Sequence, residues 1–165
     1  SYTQMFRVSI DCFMSLPNHN GLRTKFLIVV HRMVICLEPE TCFQFLQEVL
    51  PLLMTAWEGA SGDEFEHHAD MIVPLLDQLM IRYEDRAFHL LDDWLLPVLH
   101  RVTSAISALE TQNVPHAHAQ VASLQRHYFV LVHHAAQHKL ASVLCSPKNF
   151  RHLEGVLLML VFGIE

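Results

Sequence analysis

Thirteen histidines are scattered through a chain of 165 residues, and they are the first residues here that suggest chemistry. His134 and His138 stand four apart, a spacing that puts both rings on one helical face. His67-His68 and His116-Ala117-His118 form two further clusters. A zinc site needs three or four converging ligands with a supporting shell, and no His-Glu-x-x-His pattern supplies them. No metal site is therefore expected. Asp92-Asp93 would suit general acid–base work only if both carboxylates faced one substrate. Adjacent helical residues diverge by about 100°, so a solvated helix face is the better reading. No Gly-x-Ser-x-Gly motif, P-loop or glycine-rich phosphate loop occurs, so neither an enzyme nor a cofactor is expected.

The basic residues carry more. Arg23, Lys25 and Arg32 fall on one predicted helix, Arg82 and Arg86 near the end of another, and Arg126 on a third. Lys139, Lys148 and Arg151 surround a late turn. Arginine and lysine are the usual phosphate ligands, although lone cations on packed helices more often pair with neighbouring acids. The formal net charge is −6 at pH 7 with histidine neutral. Any nucleic-acid contact must therefore come from a local patch rather than from the overall field.

Helices must position these residues. Apolar residues make up 52% of the chain and few runs alternate with period two, so the chain reads as all-α. The expected helices are Tyr2–Leu16, Leu22–Leu37, about Glu40 to Trp57, Ser61 to about Tyr83, about Arg86 to Leu109, one opening at Pro115, and a seventh capped by Ser146 with Pro147 as its first residue. On the second helix Leu22, Phe26, Val29, Val30, Met33, Val34 and Leu37 form the predicted core stripe. On the seventh the stripe is Phe150, Leu153, Leu157, Leu160, Val161 and Ile164. Ser61 followed by Glu64 reads as a capping box. Cys12, Cys36, Cys42 and Cys145 show no Cys-x-x-Cys spacing and are expected to be reduced and packed. No apolar run approaches the length of a membrane span. The chain starts and stops inside amphipathic pattern, which suggests a piece of a longer protein.

A repeat underlies the helices. Val49-Leu50-Pro51-Leu52-Leu53, Ile72-Val73-Pro74-Leu75-Leu76 and Leu95-Leu96-Pro97-Val98-Leu99 share one pattern, and the prolines stand 23 positions apart both times. Two such steps make about 46 residues, within the range of about 40–47 for a HEAT-type repeat. The expected architecture is an α-α superhelix, a HEAT-repeat solenoid of about seven helices in antiparallel pairs, forming one segment over residues 1–165.

Leu22-Arg23-Thr24 followed by His31-Arg32-Met33-Val34-Ile35-Cys36-Leu37-Glu38 resembles a segment of the exportin-T family of karyopherin-β proteins. Ile72-Val73-Pro74-Leu75-Leu76-Asp77-Gln78-Leu79, Leu96-Pro97-Val98-Leu99-His100 and Leu124-Gln125-Arg126-His127-Tyr128-Phe129 resemble later segments of the same family, in order. Gln125 and His127 depart from the family's Arg and Ser. The resemblance implies a Ran-GTP-dependent nuclear export receptor for tRNA that shuttles between nucleus and cytoplasm, contacts nucleoporins on the way and does not enter membranes. It implies about three and a half repeats of the C-terminal half, with the second, fourth and sixth helices on the concave, cargo-facing side. Arg23, Lys25, Arg32, Arg82 and Arg126 are then the candidate tRNA contacts. The competing reading is a HEAT-type scaffold that binds only proteins, as another karyopherin or a phosphatase scaffold does.

Overall fold

The computed structural model describes residues 2–15, 20–58, 63–111 and 115–162. The expected turn at Pro17, the break and capping box at Gly59–Gly62, the loop after Thr111 and Ile164 lie outside the described residues. The described residues are helical with no strand among them. They form α1 (Tyr2–Ser15), α2 (Asn20–Cys36), α3 (Pro39–Glu58), α4 (Asp63–Tyr83), α5 (Phe88–Glu110), α6 (Pro115–Gln137), α7 (Ala141–Leu144) and α8 (Leu153–Phe162). Turns of 3-10 helix occupy Glu84–Ala87 and Phe150–His152. The chain divides into two compact units, Ser1–Ser61 and Gly62–Glu165.

In the first unit α1 packs on α2, with Phe13 stacked on Phe26 at 4.8 Å between ring centroids. The buried face of α2 is Phe26, Leu27, Val30 and Val34. Leu27 takes the core place expected for Val29, which is 39% exposed. The five apolar residues from Phe26 to Val30 run without a break, so their periodicity does not select a single face. Pro39 opens α3, where its missing N–H costs no hydrogen bond.

In the second unit α6 packs on both α4 and α5, and α5 also meets α7. Its core is aliphatic: Leu75, Leu76 and Leu79 from α4, Leu91, Leu95 and Val102 from α5, and Leu124 and Leu131 from α6 are all buried. Pro51, Pro74 and Pro97 each sit inside an unbroken helix. Each leaves one carbonyl, four residues back, without its helical donor. Those carbonyls belong to Gln47, Asp70 and Asp93, three exposed residues.

The chain after α6 differs from expectation. Ser146 and Pro147 do not open a helix. The Asn149 amide donates to Ser146 Oγ at 3.2 Å, so the serine caps a single turn. The chain then passes through the 3-10 turn Phe150–His152 into α8, with Asn149 turned inward. Its Nδ2 donates to the Val143 carbonyl at 3.0 Å and to Asp92 Oδ1 at 3.0 Å, and Asn149 is 3% exposed. Only Val156 of α8 is buried, whereas Leu157, Val161 and neighbouring Phe150 are exposed. The cysteines are free, and only Cys42 is packed inside.

Candidate nucleic-acid interface

Charge is sorted by helix. α3 and α4 are acidic, with Glu40, Glu48 and Glu58 on the first and Asp63, Glu64, Glu66, Asp70 and Asp77 on the second. α2 and α6 contain no acidic residue. The five candidate cations divide between those last two helices and the end of α4.

On α2, Lys25 and Arg32 are exposed and seven positions apart, about 10 Å along one face. Ile28, Val29 and Ile35 share that face and are also exposed. The side chain of Arg23 lies outside the described residues. On the second unit, Arg82 is exposed near the end of α4, its guanidinium 5.5 Å from the Tyr83 ring centroid. Arg126 is exposed on α6.

Two contacts fix how α4 and α6 lie. His127 Nε2 is 3.4 Å from Asp70 Oδ1, and His134 Nδ1 meets Asp77 Oδ1. In both pairs the partners are 57 positions apart, so the two helices run parallel in a single register. A third pair, Lys139 with Glu84, lies one step beyond, past the end of α6. In that register Arg126 is level with Ala69, and Arg82 lies 13 positions further along, about 20 Å away. The structure therefore does not bring Arg82 and Arg126 together. A carboxylate accepts only, so the ring nitrogen facing it carries the proton. For His134, which shares a hydrogen bond with Asp77, that is Nδ1.

Several sequence candidates receive a structural assignment instead. His134 faces Asp77, and its ring meets His138 edge-on at 5.8 Å between centroids. No group of three or more potential metal ligands occurs among the described residues. Asp92 and Asp93 do not form a merely solvated face: Asp92 accepts from Asn149, and Asp93 pairs with Lys148. Lys139 and Lys148 are thus engaged with acids, and Arg151 Nε donates to the neighbouring His152 ring at 3.0 Å. The Asp–His pairs are not expected from the sequence, although a signal exists. Asp70 and Asp77 are seven apart, and so are His127 and His134.

The outer face of α6 is the cleanest surface. Leu124, Tyr128, Leu131 and Ala135 turn inward, and His127 and His134 turn to α4. Among the described side chains that leaves His118, Ala119, Ala122, Arg126, His133, Ala136 and Gln137 exposed, and Phe129 is half-buried. Burial pushes the Tyr128 hydroxyl up to about 12, and the group lies 3.4 Å from the Val156 carbonyl to which it donates.

No helix among the described residues is long and apolar enough to cross a membrane. A family model described as Exportin-T matches residues 2–162. Exportin-T of Danio rerio is 24% identical over 163 residues, which cover 94% of this chain and 16% of that protein. Exportin-T of Homo sapiens gives the same identity and coverage. Exportin-T of Dictyostelium discoideum is 26% identical over 161 residues, covering 90% of this chain and 14% of its own length. The chain thus spans about a sixth of the length of the relatives it matches. No solved structure matches it. With the family model running almost from end to end over an all-α chain, this chain belongs to the Exportin-T family.

Proposed function

We propose that the chain is a HEAT-repeat segment of a nuclear export receptor that carries tRNA with Ran-GTP, and that it helps wrap cargo on a concave face. The observation that carries this reading is the family match across residues 2–162. The packing supports it. Helices α4 and α6, two apart in sequence, lie parallel and in register, as equivalent helices of successive repeats do. On this reading the two units are consecutive parts of one segment of about three and a half repeats. The chain is a binding element and not an enzyme. Its parent protein shuttles between nucleus and cytoplasm, and Ran-GTP and nucleoporins are met mainly by other parts of that parent.

Lys25, Arg32, Arg82 and Arg126 contribute phosphate contacts in this reading, and Arg23 joins them. Such contacts read RNA shape rather than sequence. Filter binding of the parent protein to tRNA, with and without Ran-GTP, tests it. Ran-GTP should strengthen tRNA binding, and the variants Arg23→Glu and Arg126→Glu should weaken the ternary complex. Unchanged complex formation in both variants would remove these residues from the interface. The absence of any tRNA binding would leave the protein-only scaffold. One observation favours that second reading locally: the aliphatic side chains exposed between the cations of α2.

A further inference from the structure

Helix α2 is apolar on two sides. Phe26, Leu27, Val30 and Val34 are buried, whereas Ile28, Val29 and Ile35 are exposed on the opposite side. A helix that is apolar all round is ordinarily covered all round. Lys25 and Arg32 run down the middle of the exposed side. The helical period puts Ile28 and Ile35 on one flank of that line, and Val29 and the exposed Cys36 on the other. From Lys25 to Cys36 the strip rises about 17 Å, or about three turns. α2 carries no acidic residue, and neither Lys25 nor Arg32 meets an acid among the described residues. In the second unit, by contrast, Lys139 and Lys148 are paired.

We infer that the outer side of α2 docks an acidic amphipathic helix of a partner protein. The aliphatic flanks decide for protein. Phosphates on Lys25 and Arg32 would leave Ile28, Val29 and Ile35 in water, whereas apolar side chains of a partner cover them and release that water. The central cations decide for acids. Their spacing decides for a helix, because two acids seven positions apart on one helical face also stand about 10 Å apart. In an extended strand, side chains on one face recur at multiples of about 7 Å and miss that interval. The chain makes such a match within itself. Asp70 and Asp77 of α4, seven apart, meet His127 and His134 of α6, also seven apart. The inference goes beyond the tRNA reading. A helix seated here takes Lys25 and Arg32 away from phosphate, so the two ligands exclude each other on α2.

Alkylation of the 165-residue chain, read by mass spectrometry, tests it, with Cys12 and Cys145 as exposed references away from α2. The probe is a helical peptide of about five turns with two glutamates seven positions apart and leucines flanking each. At saturation it should slow alkylation of Cys36 about fivefold and leave both references unchanged. Fluorescence anisotropy of the labelled peptide measures affinity. Lys25→Glu/Arg32→Glu should weaken binding about tenfold, and Arg151→Glu should leave it unchanged. Ile28→Ser/Ile35→Ser should weaken it about fivefold. A peptide with lysine for glutamate, or with alanine for leucine, should bind about tenfold more weakly. No protection of Cys36, equal binding of the lysine peptide, or equal binding by both α2 variants overturns the inference. Protection of Cys36 by oligouridine and not by the peptide overturns it in favour of RNA. Slower Cys36 alkylation in the free chain as its concentration rises overturns it in favour of a second copy. Peptide binding by the 165-residue chain and not by the parent protein overturns it in favour of a helix from the parent's own chain. The tRNA reading fails on a different result, namely no tRNA binding by the parent protein with Ran-GTP.

Discussion

Helices α2 and α6 are the two long helices without an acidic residue, yet they present different surfaces. α2 exposes Lys25 and Arg32 beside Ile28, Val29 and Ile35. α6 exposes Arg126 and histidines beside alanine, with a half-buried phenylalanine. Absence of acids therefore does not give two helices the same outer surface. Cations beside aliphatic side chains suit a partner that also brings apolar surface, because covering those side chains releases water. Cations beside small and aromatic residues suit a chain of phosphates and bases.

The contrast can be broken at its foundation, since the α6 strip faces outward only while its other face is packed. Leu131 is fully buried on that face. Leu131→Ala should cost about 3 kcal/mol, as large-to-small core changes do. Urea denaturation measures this, and an unchanged midpoint would contradict the packing described here. The Tyr128 hydroxyl offers a second route. Its folded-state value is raised to about 12 from an ordinary 10 by burial. The neutral hydroxyl is the form the fold favours, so stability is complete below pH 10. Between pH 10 and 12 the unfolded chain has lost this proton and the folded chain keeps it. Stability should then fall by about 1.4 kcal/mol per pH unit. Tyr128→Phe should flatten that part of the stability curve, and a curve of equal slope in the variant would contradict the assignment.

Smaller effects sharpen the contrast. The Asp77–His134 pair is part-buried and still reached by solvent, so a double-mutant cycle with Asp77→Asn and His134→Ala should give a coupling of about 0.5–1 kcal/mol. A coupling of zero would mean that the pair marks the register of α4 and α6 without helping to hold it. The smallest effect belongs to α2. Ile28→Ser with Ile35→Ser should change stability by less than about 1 kcal/mol, because both residues are already about half exposed to water. A clear loss would show that this face is covered in solution, and calorimetry of the double variant detects it.

Much of the helical layout was legible because local rules govern it. Pro115 marks a helix start, and helix-length apolar patterns give α3 to α6 within a few residues of their observed limits. The late turn was not legible. Ser146-Pro147 satisfies the local rule for a helix start, but Asn149 is pulled inward by Asp92, 57 positions earlier. The last apolar stripe was read correctly as apolar and wrongly as buried, since burial depends on what lies opposite. Of the candidate cations, residue type alone nominated Arg82 and Arg126, and only the parallel register of α4 and α6 separates them by about 20 Å.

By itself the sequence determined that the chain is helical, where proline recurs, which helices lack acids, and which family the motifs resemble. These follow from backbone preferences and from residue type, both fixed before the chain folds. Only the tertiary structure decided which face of each helix meets solvent. An unbroken run such as Phe26 to Val30 can bury either side, and the choice falls to the neighbour that packs against it. It likewise decided that Asp70 and Asp77 meet His127 and His134. Each local seven-residue spacing is plain, but their alignment depends on two helices settling side by side in one register.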